Sequence, residues 1–156
     1  MRPFIVVVVF GMLLSGAETA AAQTQSDWEI LEALATRMSD YVVDLAEFGK
    51  ASISDSLEYE VTHAISDIAE GVADDLTAVI SLLVVFDLIS SAPDRLAVRP
   101  FIARQLTYYA QRVERKLPVL SAALARTQKP GLAALANSLR DDLRSVQQML
   151  EGITLR

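Results

Sequence analysis

After a polar lead-in at Gln23–Gln25, apolar residues recur at steps of three and four through almost the whole chain. Trp28, Leu31, Ala35, Met38, Val42 and Leu45 make the first run, widened by Leu34, Tyr41 and Phe48 and closed by Gly49. That spacing is the period of one helix face. Ser26 followed by Glu29 is a capping box at its start. The pattern predicts a first helix over Asp27–Phe48.

The second run opens at Ile53 and continues through Leu57, Val61, Ile65, Ile68, Val72, Leu76, Val79, Leu83, Phe86 and Ser90. The steps never break, so one helix of about 38 residues, roughly 57 Å long, is expected. Ser52 and Ser54 flank its start. Gly71 is the weak point, where a kink or a split would fall. The Ala92-Pro93-Asp94 stretch ends the run, because the residue before a proline is pushed out of the helical region. Pro100 suits the first turn of a third helix, whose seam is Ile102, Leu106, Tyr109, Val113, Leu117, Leu120 and Leu124. Pro118 inside it predicts a kink. Gln128–Gly131 is a tight connection. A heptad seam follows at Leu132, Leu135, Leu139, Leu143, Val146, Leu150 and Ile153.

No segment alternates as a strand does. Short connections make neighbouring helices antiparallel. The expected fold is all-α: an antiparallel up-down four-helix bundle with two long central helices and coiled-coil-like seams.

The first residues read differently. Arg2 precedes the apolar run Phe4–Leu14, and Ala20 and Ala22 fit an A-x-A cleavage site. This is the layout of a secretory signal peptide. It predicts cleavage before Gln23, a signal peptide over residues 1–22, a single domain over residues 23–156, and export to the periplasm or the medium. The chain has no cysteine. Disulfides, thiolate metal sites, iron–sulfur ligation and cysteine nucleophiles are therefore excluded.

Leu76–Ala92 is the most apolar stretch after Leu14, and it poses a membrane question. On an insertion scale its Leu, Ile, Val and Phe each contribute about −0.3 to −0.6 kcal/mol, against about +2.5 to +3.5 for Asp87. The sum is near zero. The preferred expectation is a buried bundle helix, with Asp87 reaching solvent or an arginine of the third helix. The alternative is an inner-membrane-associated protein, with residues 76–92 spanning or lying in the bilayer. If it spans with the acidic half outside, the basic half beginning Arg95, Arg99 and Arg104 lies inside, as the positive-inside rule asks.

Charge divides the chain more sharply than hydropathy does. Gln23–Asp94 holds 15 acids and 2 bases, whereas Arg95–Arg156 holds 4 acids and 11 bases. Asp67, Glu70 and Asp74 follow helical spacing on one flank of the second helix. Arg104, Arg115 and Arg126 are eleven apart, which sets them in one stripe of the third. These six are the candidate interaction residues. Two solvated faces attracting across the bundle would account for them. So would the acidic half of one molecule meeting the basic half of another, or the basic half meeting an anionic membrane surface. Nucleic acid is not an expected partner, because the basic helices lack aromatic stacking platforms.

Candidate chemistry is sparse. Glu60 and His63 lie one helical turn apart, and with Asp67 they are weak candidates for a divalent metal. A di-metal bundle site needs a second such motif, and the chain has one histidine. No strained nucleophile turn and no glycine-rich phosphate loop is present. No cofactor and no catalytic residue is assigned. The doublets Asp74-Asp75 and Asp141-Asp142 read as solvated. The expected function is non-enzymatic: a binding, adaptor or structural module working by protein–protein contact. A weak metal or small-molecule binder is a further alternative.

Overall fold

A computed structural model describes residues 27–155, so the signal peptide expected over residues 1–22 lies outside the described residues. Within them the chain is all-helical. α1 spans Asp27–Ala51, α2 Ser56–Leu88, α3 Ala92–Leu124 and α4 Pro130–Gly152. No strand occurs among the described residues.

The helix starts refine the sequence reading. Asp55, not Ser52 or Ser54, caps α2, its carboxylate accepting from the Glu58 N–H at 3.3 Å. α2 continues unbroken through Gly71. Lys116 of α3 lies over that glycine, where a Cβ would fall 2.5 Å from its Nζ. The missing side chain makes room for a lysine and leaves the helix whole.

α3 begins at Ala92, two turns before the start expected at Pro100. Pro93 occupies the first turn, where an absent N–H costs nothing. Pro100 and Pro118 then lie inside the helix. Leu96, whose carbonyl Pro100 leaves without a helical donor, is exposed and open to water. The connection shrinks to Ile89–Ser91. Arg95 closes it, its guanidinium donating to the carbonyls of Ile89 and Asp87 and lying 5.8 Å from the Phe86 ring. A cation thus satisfies carbonyls that the end of α2 leaves open.

α1 packs on α2 and α4, α3 packs on the same two helices, and α1 and α3 do not meet. Asp75 of α2 pairs with Arg112 of α3, and Glu60 of α2 pairs with Arg126 just past the end of α3. One core runs through all four helices. Leu31, Met38, Leu45, Val61, Ile65, Leu76, Val113, Leu132, Leu139 and Leu143 are almost fully buried in it.

The apolar stretch of α2 contributes Leu76, Val79, Leu83 and Phe86 to this core. No helix among the described residues is long and apolar enough to cross a membrane. Leu76, Val79, Leu83 and Phe86 are buried on one side of α2, while Thr77, Ser81, Asp87 and Leu88 face out. Only one stripe of the run is apolar in use. Asp87 is exposed, as expected for a packed helix.

Candidate interaction face

Three polar clusters tie the helices together, and each uses an acid that the apolar pattern passes over. At the first, the buried Glu58 accepts from the Gln128 N–H at 2.6 Å and from Thr127 Oγ1 at 2.7 Å. Lys129 Nζ donates to the buried Ser52 hydroxyl at 2.7 Å. The α1–α2 and α3–α4 loops are thereby joined. The Gln128 N–H, then the Thr127 hydroxyl, then the Lys129 charge hold the Glu58 carboxyl below its ordinary value, against the opposing pull of burial.

At the second, Asp75 points from α2 toward α3 and pairs through Oδ1 with Arg112 at 3.2 Å. Its other oxygen, Oδ2, is buried without a hydrogen-bond partner. Burial pushes the Asp75 pKa up, and Arg112 and Lys116 counter it only in part. At the third, Asp142 of α4 takes Tyr41 Oη on one oxygen at 2.9 Å and Arg37 on the other at 3.0 Å, both from α1. Burial first, then the bond to Asp142, moves the Tyr41 pKa up to about 12. Asp75 and Asp142 are therefore engaged, not solvated as their doublets suggested. The sequence signal was available. Glu58 stands three before Val61, and Asp75 sits between Val72 and Val79 in seam register, so each occupies a core position.

The metal candidates do not converge. Among the described residues no group of three or more His, Asp or Glu is placed to hold a metal ion. Glu60 turns to Arg126, and the His63 ring stands edge-on to Tyr59 with centroids 4.4 Å apart. Asp67 stands exposed beside them.

The six interaction candidates divide. Arg126 lies past the end of α3, in a turn, and reaches Glu60 at 3.5 Å. It leaves the stripe because the helix stops at Leu124. Arg115 is exposed and donates only to the Gln111 carbonyl of its own helix. Arg104, Asp67, Glu70 and Asp74 are exposed, and none forms an ion pair among the described residues.

The arginines have apolar company that sequence reading did not assign. Phe101, Tyr108 and Val119 are 48%, 46% and 55% exposed. With Arg104 and Arg115 they form a ridge at helical spacing along the outside of α3. Arg112 lies 5.7 Å from the Tyr108 ring, which fixes that side chain on the α2 side of the ridge. The opposite flank of α3 faces α4 across a cleft of about 520 Å³, lined by Arg99, Thr107, Glu114 and Leu150. The signal for the ridge was the off-seam apolar residue: Phe101 and Val119 each fall one position before a seam residue.

No protein-family model, curated protein or solved structure matches the chain.

Proposed function

We propose that this protein is an exported, non-enzymatic helical bundle that works by protein–protein contact through the ridge on α3. In this reading residues 1–22 are a signal peptide removed before Gln23, and residues 23–156 act as one domain. The four helices run up-down and antiparallel. The pairing of Glu60 with Arg126 and of Asp75 with Arg112 supports that sense for α2 and α3, and Phe48 beside Gly131 with Arg37 beside Asp142 supports it for α1 and α4.

The observation that carries the reading is the ridge itself. Arginine and aromatic side chains are the types that concentrate binding energy at protein interfaces. Here Phe101, Tyr108 and Val119 stand in water on the same line as Arg104 and Arg115. No acid interrupts that line, so an acidic partner surface is its complement. A photo-crosslinking residue at position 108, carried in the full chain in its own cells, tests the reading. A specific adduct is expected there and not from position 145 on the outside of α4. Equal labelling from both positions refutes it.

A membrane-surface role has one observation in its favour. Leu88 and Leu96, on either side of the α2–α3 turn, are 77% and 66% exposed. Asp87 and Asp94 are exposed beside them and oppose contact with anionic lipid. Sedimentation with anionic vesicles separates the two readings: recovery of the protein in the supernatant removes the second.

A further inference from the structure

The face that carries the ridge also carries its complement. Arg112 and Lys116 mark the side of α3 that meets α2, and Gly71 and Asp75 mark the side of α2 that meets α3. A few tens of degrees further out from that seam, at 100° per residue, α2 presents Asp67, Asp74 and Val85, and α3 presents Arg115, Tyr108 and Phe101. All six are exposed. One broad face of the molecule is therefore acidic along α2 and basic along α3. Each half adds exposed apolar groups where the helices approach their turn, Val85 at 59% and Phe101 at 48%.

The pairs Glu60–Arg126 and Asp75–Arg112 decide which residues share a level. Arg115 stands level with Val72, between Glu70 and Asp74. Phe101 stands level with Phe86, next to Val85. A two-fold axis parallel to the helices brings α2 of one copy over α3 of the other without changing any level. Arg115 of each copy then meets Glu70 and Asp74 of the other, and Phe101 meets Val85. Such an interface is isologous, so both sets of contacts form twice and nothing is left over to propagate.

The size is sufficient. Two helices of 33 residues each make a face roughly 50 Å long and about 20 Å wide, or about 1,000 Å² per copy, against about 800 Å² per partner in a standard interface.

We infer that the chain forms a parallel two-fold dimer through its α2–α3 face, the partner of the α3 ridge being a second copy of the same chain. The inference rests on the contact reading above and names its partner.

The test uses the full chain, expressed and purified as the cell processes it. Sedimentation equilibrium at low salt is expected to give a dimer. The dimer is expected to weaken at about 1 M salt, where the Debye length falls to about 3 Å. Arg115→Glu alone faces acids across the axis, and Asp74→Arg alone faces Arg115. Each is expected to dimerise at least about tenfold more weakly, with unchanged helical circular dichroism. Mixed together they regain the dimer, because each supplies the charge the other lacks. The chain has no cysteine, so engineered thiols report geometry cleanly. Val85→Cys copies mixed with Phe101→Cys copies are expected to join through a short bis-maleimide, and Ser145→Cys copies are not. A wild-type chain that stays monomeric at low salt overturns the dimer, as does a mixture of the two charge variants that fails to recover it. If position 108 still crosslinks to a different protein in the cell, the dimer is lost and the contact reading stands; if it crosslinks to nothing, both are lost.

Discussion

The two places where the helices turn are built on opposite principles. Where the α1–α2 and α3–α4 loops lie side by side, polar groups are buried and paired: Glu58 with Gln128 and Thr127, Lys129 with Ser52, and Gly131 packed against Phe48. Leu132 beside them is fully buried. At the α2–α3 turn only Arg95 spans the connection, and Leu88, Leu96, Val85 and Phe101 remain in water. A buried hydrogen bond fixes one arrangement of two loops, because each unmade bond would cost the desolvation of its group. An exposed apolar side chain fixes nothing within its own chain. The first turn is closed by groups of its own chain, whereas the second leaves its apolar side chains uncovered.

The largest expected effect tests that asymmetry directly. Leu132→Ala at the joined loops should lower stability by about 2–5 kcal/mol, because a fully buried side chain leaves a cavity behind. Urea denaturation followed by circular dichroism reads it. A loss as small as that of an exposed leucine would mean that the joined loops are not the rigid turn described.

Glu58→Gln is next. The carboxyl is held below its ordinary value of 4.5 by hydrogen bonds and the Lys129 charge. The folded form therefore binds the proton less tightly than the unfolded chain does. Its contribution is fully present above the unfolded value and is lost as pH falls through the lower folded value. The wild type should be more stable than the variant at neutral pH, and the gap should narrow as pH falls below that ordinary value. A gap that does not change with pH would contradict the pairing.

Asp75→Asn should give the opposite slope. Burial raises this pKa, so the folded form holds the proton more tightly than the unfolded chain. The wild type then gains stability relative to the variant as pH falls through the raised value, and loses it as pH rises. At neutral pH the variant should cost less than Glu58→Gln, since Oδ2 has no partner to lose. Parallel pH profiles for the two variants would show that one assignment is wrong.

Much of this was legible in the order of residues, and the part that was not has a physical cause. The seam from Val61 to Phe86 predicted the buried stripe of α2, and that from Leu132 to Leu150 predicted the stripe of α4 except that Ala136 is buried and Leu135 only half-buried, because burial of one helix face imposes its period on the sequence. The start of α3 was not legible, since Pro93 and Pro100 both suit a first turn and only the packing of Ile89–Ser91 chooses between them. Glu58 was missed because the neighbouring Leu57 is apolar and was given the core position; in the fold Leu57 is 39% exposed and Glu58 is buried. The place of Gly71 in an unbroken α2 is matched by Lys116 lying over it, a contact from another helix that no local pattern carries. The candidate face was half legible. Charge named Arg104, Arg115, Asp67, Glu70 and Asp74, but the apolar side chains between them showed themselves only once the core had been filled without them.

The smallest expected effect is at the open turn. Leu96 is 66% exposed and closes no cavity. Leu96→Ser should therefore change stability by no more than about 0.5 kcal/mol, as surface substitutions away from special features do. The same change removes apolar surface that nothing in the chain covers, and exposed apolar groups gathered in one place mark contact with something else. Its effect should appear in association or solubility and not in the denaturation midpoint. If the midpoint drops as far as it does for Leu132→Ala, the α2–α3 turn is part of the core after all. The contrast between a turn closed by buried polar pairs and a turn left open for contact would then collapse into a single well-packed fold.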